Sequence, residues 1–280
     1  MRFILASWGN WYPQWERLAT SVPEAEDLGF WGFLMPDHYM WGRMGGDATL
    51  ETWTALAFLA ARTKKIKLGT LVTPITFRPP GILAKTVSTL DIISNGRTVL
   101  GVGAGWSQTE FEGYGVWDPP KIRVEKTEEG LQLILKLWHE PKVDFNGKYY
   151  HAKGAVLEPK TVQKPHPPLL FGGTGTRMLR MAGKYGDICM ISPFGERDPK
   201  EAKRVVLDEA KRHNRAIKVS FAGIAPLPQQ NPKYDGKMYE DAVEKAVRLG
   251  CEYFVAPFPE GTYLESMRSF AKAVMPKHRN

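Results

Sequence analysis

Asp37 and His38 stand side by side directly after an apolar run, Trp31-Gly32-Phe33-Leu34-Met35-Pro36. Imidazole has a reference pKa of roughly 6.5, so a histidine takes or gives a proton near neutral pH. A neighbouring carboxylate can bind a substrate hydroxyl or orient a partner. The pair reads equally as the polar cap of a strand end. A second candidate is "LLFGGTGTRMLRMAG", residues 169–183, in which Gly172, Gly173, Thr174 and Gly175 join a strand to a helix. That arrangement presents backbone N–H groups and a helix dipole to a phosphate, with Thr174, Thr176 and Arg177 as further donors. A third is "LGVGAGWSQTE", where Gly101, Gly103 and Gly105 alternate and Trp106 stands where a dinucleotide fingerprint needs a further glycine. Alternate glycines let a flat ring approach the backbone, or simply pack small residues into a core. Trp8, Trp11, Trp41, Trp106 and Trp117 fall at or beyond expected strand ends, where they wall a planar-ligand pocket or pack under loops.

Other chemistries have little support. His139, His151, His166, His213 and His278 lack metal-ligand spacing, so no metal is expected. Neither a nucleophile elbow nor a nucleotide-hydrolase phosphate loop occurs. Cys189 and Cys251 are the only cysteines, which gives no disulfide framework and places the protein in a reducing cytoplasm. No apolar run reaches the roughly 18 residues that cross a bilayer, and the N-terminal run is too short for a signal peptide. The net charge of +8 invites a nucleic-acid reading. The basic residues are dispersed, however, and suit a polyanionic small molecule better.

Elements to position these candidates recur along the chain. Strands are expected at 2–8, 30–35, 66–72 and 97–105, and again at 169–171, 187–192, 218–227 and 251–258, with helices between them. The rhythm breaks at about 115–168, where a helix over 124–138 and a hairpin turning at Asn146-Gly147 are expected. Eight strand–helix units over residues 1–280 predict a single α/β domain, a TIM (β/α)8 barrel with an insertion after the fourth strand. Barrel chemistry sits at the carboxyl ends of the strands, which is where Asp37 and His38 fall.

Taken in order, "PDHY", "LGTLVTPITFRPPGILAKTVSTLDIISNGR", "LGVGAGW", "FNGKYY" and "KPHPPLLFGGTGTRMLRMAGKYGD" resemble the luciferase-like family of flavin- and deazaflavin-dependent oxidoreductases, the bacterial luciferase superfamily. The resemblance runs over nearly the whole chain. It implies that the deazaflavin coenzyme F420, or alternatively FMN, lies in the barrel mouth. The loop Gly172-Gly173-Thr174-Gly175, with Thr176 and Arg177, would hold the cofactor phosphate, and Thr70, Leu71 and Val72 would back the ring. Gly105 and Trp106 would line the same mouth, and a non-proline cis peptide would fall between Leu71 and Val72. His38, with Asp37, would remove a proton from an alcohol while hydride passes to the ring. The sugar-phosphate dehydrogenase branch has a glutamate where this chain has Trp106, which argues against a sugar phosphate; Glu110 reads as structural. The expected activity is F420-dependent hydride transfer with a small alcohol, carbonyl or activated double bond. The alternative is an FMN-dependent monooxygenase served by a flavin reductase, and either form would pair as a homodimer.

Overall fold

A computed structural model describes residues 1–7, 15–40, 48–191, 197–215, 218–228 and 233–279. In chain order the elements begin β1 (Arg2–Ala6), α1 (Trp15–Asp27), β2 (Gly32–Met35), α2 (Thr52–Arg62) and β3 (Lys67–Thr70). A two-residue strand β4 (Thr73–Pro74), α3 (Pro80–Ile93), β5 (Thr98–Gly103) and α4 (Gln108–Gly113) follow. Next come α5 (Pro120–His139), the hairpin β6 (Val143–Asn146) and β7 (His151–Ala155), then β8 (Leu169–Phe171) and α6 (Thr176–Tyr185). The chain closes with β9 (Ile188–Met190), α7 (Pro199–Arg212), β10 (Ser220–Ile224), α8 (Gly236–Arg248), β11 (Tyr253–Pro257), α9 (Tyr263–Ala273) and α10 (Met275–His278).

Eight of these strands form a closed parallel barrel in the order β3-β2-β1-β11-β10-β9-β8-β5, sealed by β3 pairing with β5. The fold is the TIM barrel that the strand count predicts. Closure is tight at the seam. A Cβ on Gly69 would stand 2.0 Å from the Val99 carbonyl oxygen, and one on Gly101 would stand 2.0 Å from that of Thr70. Only glycine fits between strands this close. Side chains alternate along each strand. Ile4, Leu34, Leu71, Val99, Leu170 and Val255 fill the barrel, while Phe3, Phe33, Leu68, Leu100 and Phe254 pack outward under the helices.

The amino end of the barrel is held by polar ties. Arg97 is buried and donates to the carbonyls of Ala60, Thr63, Ile66 and Ser94 and to the Thr63 hydroxyl. Glu26 accepts from the backbone N–H groups of Lys64, Lys65 and Ile66, so the basic run after α2 is organised by an acid from α1.

The segment between β5 and β8 departs in detail from the expectation. α5 starts at Pro120 rather than 124, because the proline supplies a helix-ready φ at the first position. α4 is an additional short helix. The hairpin forms, but its loop runs over residues 147–150 instead of turning at Asn146-Gly147. Gly147 N–H donates to the Tyr150 carbonyl, and Glu129 of α5 accepts from the backbone N–H groups of Lys148, Tyr149 and Tyr150. Those external acceptors allow the longer loop. Among the described residues, no helix is long and apolar enough to cross a membrane, and no three His, Cys, Asp or Glu residues converge as a metal site.

Candidate active site at the barrel mouth

The loops after β2, β3, β5 and β8 bring most of the candidate residues to the carboxyl-terminal mouth. Asp37 and His38 leave the end of β2 in different directions. Asp37 is 0% exposed. It accepts two hydrogen bonds from Arg78, at 2.7 and 3.0 Å, one from the Thr73 hydroxyl at 2.9 Å and one from the Trp53 indole at 3.2 Å. The buried Asp37 carboxylate thus accepts three hydrogen bonds at Oδ2 and one at Oδ1. Its position is that of an organiser, tying β2 to α2 and to the loop before α3.

Arg78 also donates to Glu51 at 2.5 Å. Burial works against its charge, but the Asp37 carboxylate and the hydrogen bonds to Asp37 and Glu51 outweigh it and hold the guanidinium above its ordinary pKa. Burial likewise opposes the Glu51 charge, yet hydrogen bonds from Thr54 and Arg78 keep its carboxyl below the usual range.

His38 is nearly buried, with Nδ1 2.7 Å from Oε2 of Glu110 in α4. Glu110 is 1% exposed, and its Oε1 accepts the backbone N–H groups of Tyr39 at 2.5 Å and Met40 at 3.1 Å. The imidazole meets Trp106 edge-on, with ring centroids 5.8 Å apart. Trp106 is 70% exposed. One end of the imidazole is therefore anchored by a carboxylate, and an accessible indole flanks the ring.

Aromatic contacts lock this loop. Tyr39 lies between Phe77, at 4.9 Å, and Tyr114, at 4.7 Å, and Phe77 meets Phe111 at 4.6 Å. Arg123 caps the series 4.5 Å above Trp117 and donates to the Ala104 carbonyl. Burial raises the Tyr39 phenol to about 12. Trp117 packs against Arg123 and Phe111 and also lines a surface pocket with Phe77, Arg78, Lys126 and Tyr150, whereas Trp8, Trp11 and Trp41 lie outside the described residues.

The ring-backing candidates separate on inspection. Thr70 is buried and its hydroxyl is engaged by Gly101 N–H and Thr73, and Leu71 points into the barrel core, so neither faces the mouth. Val72 is half-buried and packs against the same barrel core, and its methyls occupy the notch left by Gly103 and Gly172, where added Cβ atoms would stand 2.3 and 3.0 Å from them. The Leu71–Val72 peptide bond is cis. Gly105 has φ +73°, and a Cβ there would strike the Phe111 ring at 2.2 Å. These glycines are therefore required by the protein's own packing.

After β8, Gly173 and Gly175 are exposed, Gly173 has φ +106°, and α6 begins at Thr176 without a side-chain cap. Nothing lies within 4 Å of a Cβ built on Gly175. The N-cap position is a glycine, which has no side chain to cap the first-turn N–H groups of α6. Arg177 reaches back toward Glu125 at 3.9 Å and the Lys121 carbonyl at 3.3 Å. Arg197 is the cation beside Thr176, donating to its hydroxyl at 2.8 Å. Sequence reasoning passed over Arg197 and Arg78 and read Glu110, the carboxylate one helical turn beyond Trp106, as structural.

A parallel barrel with a histidine–carboxylate pair and an uncapped helix at its mouth defines an enzyme-like scaffold. The family model for luciferase-like monooxygenases matches residues 3–227, and the chain belongs to that family. An F420-dependent glucose-6-phosphate dehydrogenase from Nocardia farcinica is 36% identical over 226 residues, covering 75% of this chain and 66% of that protein. Its counterpart from Amycolatopsis mediterranei is 36% identical over 176 residues, covering 61% and 51%. The matched segment thus spans about half to two thirds of these relatives. Among solved structures, monooxygenase RslO1 from Streptomyces bottropensis superposes with a TM-score of 0.84 at 19% identity, covering both chains fully. An F420-dependent secondary alcohol dehydrogenase gives 0.83 at 19% identity, again over both whole chains. At that identity the likeness concerns the fold.

Proposed function

We propose that this chain is an F420-dependent oxidoreductase that moves a hydride between the deazaflavin and a small alcohol, carbonyl or activated double bond. The observation that carries the reading is His38, seated at the carboxyl end of β2 where the mouth opens. The names of the 36%-identical relatives support F420 over FMN. The exposed, uncapped start of α6 suits the cofactor phosphate, with Gly173, Thr174, Gly175 and Thr176 around it and Arg177 and Arg197 nearby. Val72, seated on Gly103 and Gly172, is the surface for the ring, with Gly105 and Trp106 at its side.

When bound, F420 accepts or supplies hydride at its ring. In the oxidative direction His38 takes the hydroxyl proton of the alcohol as its carbon gives up hydride, leaving a carbonyl compound. In the reductive direction His38 returns that proton. Asp37 acts indirectly by fixing Arg78, Thr73 and Trp53 beneath the loop. Trp106 gives the imidazole an indole neighbour where the sugar-phosphate branch has a glutamate, which favours a small, weakly polar substrate.

The alternative is an FMN-dependent monooxygenase with a partner reductase, favoured by the description of the matching family model. Exposed Ile82, Ile92 and Ile93 on α3 support pairing of two copies through barrel helices. The test is bleaching of F420 absorbance by the purified protein with propan-2-ol, with glucose 6-phosphate, and of reduced-F420 oxidation with cyclohex-2-enone. Turnover of propan-2-ol or cyclohex-2-enone above glucose 6-phosphate supports the reading. Preferential turnover of glucose 6-phosphate overturns the substrate class, and no F420 turnover with oxygen-dependent FMNH2 consumption moves the chain to the alternative.

A further inference from the structure

Glu110 is a buried carboxylate whose two oxygens are committed to different partners. Oε1 accepts the Tyr39 and Met40 N–H groups, at 2.5 and 3.1 Å, and Oε2 lies 2.7 Å from His38 Nδ1. Backbone amides only donate, so Oε1 is fixed as an acceptor. An ionised carboxylate also accepts at its second oxygen, which places the ring proton of neutral His38 on Nδ1 and its lone pair on Nε2.

We propose that Glu110 is the positioning residue of the site. It fixes the tautomer and orientation of His38, and it balances the positive charge that His38 gains when it takes the substrate proton. The inference rests on His38 being the base in the proposed reaction. Asp37, the acid adjacent in sequence, does not serve this purpose because Arg78, Thr73 and Trp53 surround it. The carboxylate that acts on the imidazole therefore comes from α4, 72 residues away in sequence.

The geometry makes Glu110→Gln a tautomer switch with nearly unchanged volume. The glutamine carbonyl is drawn to the two backbone N–H groups, so its NH2 faces His38. Nδ1 must then accept, and the ring proton moves to Nε2. In the serine-protease triad the comparable acid-to-amide change costs roughly 10⁴ in kcat by the same route. A carboxylate that merely tied the 38–40 loop to α4 would be replaced by glutamine with little consequence, because the glutamine carbonyl still accepts the Tyr39 and Met40 N–H groups.

The experiment combines nitrogen-15 NMR of histidine-labelled protein at about pH 8.5, where imidazole is ordinarily neutral, with turnover of propan-2-ol and F420. The His38 signals are assigned by their loss in His38→Ala. The expected result is an Nδ1–H tautomer in the wild type and an Nε2–H tautomer in Glu110→Gln. The variant's kcat should fall roughly 10²- to 10⁴-fold while its F420 affinity stays within about twofold. An Nε2–H tautomer in the wild type overturns the proposal, as does a glutamine variant with wild-type tautomer and kcat. If Glu110→Gln does not fold, the wild-type spectrum still decides. A wild type that neither binds F420 nor turns over substrate defeats the functional reading, while the spectra decide the tautomer independently.

Discussion

Two adjacent residues divide the work after β2: Asp37 organises the loops, and His38 faces the mouth. Their fates follow from their partners. Replacing Asp37 by asparagine leaves the Arg78 charge buried with a weaker acceptor, and breaking a buried pair costs about 3–5 kcal/mol. Asp37→Asn should therefore lower the urea midpoint strongly, whereas an exposed ion pair would cost little. His38→Ala should lower kcat by at least about 100-fold with F420 affinity retained, measured by steady-state kinetics and titration. Retained kcat would remove the imidazole from the mechanism. His38 was legible because an imidazole stood at an expected strand end. The role of Asp37 was not, because Trp53, Thr73 and Arg78 lie 16, 36 and 41 positions away and nothing in their spacing announces a shared carboxylate.

Elements carry a second set of consequences. The start of α6 has no side-chain cap, while α7 and α8 are capped by Asp198 and Asp235. Gly175→Asp would supply the missing acceptor and place a negative charge where the cofactor phosphate is proposed to bind. The expected outcome is an unchanged or slightly raised Tm together with F420 affinity weakened at least about tenfold. Unchanged affinity would remove the phosphate from this helix. At the barrel seam, a methyl on Gly101 would collide with the Thr70 carbonyl, so Gly101→Ala should destabilise by about 1–3 kcal/mol or more, read as a lower Tm. The glycine run was legible as a strand end. Its alternative meanings were not separable in sequence, because the atom opposite each missing Cβ belongs to another strand or helix. The eight strands themselves were readable from their apolar runs and helical spacers. The aromatic series through Tyr39, Phe77 and Phe111 was not, since it joins three separate segments.

Across the whole molecule, electrostatics sets the response to acid. Burial opposes ionisation of Glu26 and Glu51, but hydrogen bonds from Ile66, Lys65 and Lys64 to Glu26, and from Thr54 and Arg78 to Glu51, hold both carboxyls below their ordinary values. A group lowered on folding stabilises above its unfolded pKa, about 4.3 for glutamate, and loses that contribution as pH falls through the native value. Urea midpoints should be level through the neutral range and fall below about pH 4.5, with a shallower fall in Glu26→Gln. The +8 charge should also make binding of a polyanionic cofactor weaken as salt is raised. The most direct measurement is a parallel fluorescence titration of cofactor-free protein with F420 and with FMN. Micromolar or tighter F420 binding with much weaker FMN binding is the expected result. The reverse preference would contradict an F420-dependent oxidoreductase and transfer the site to flavin chemistry.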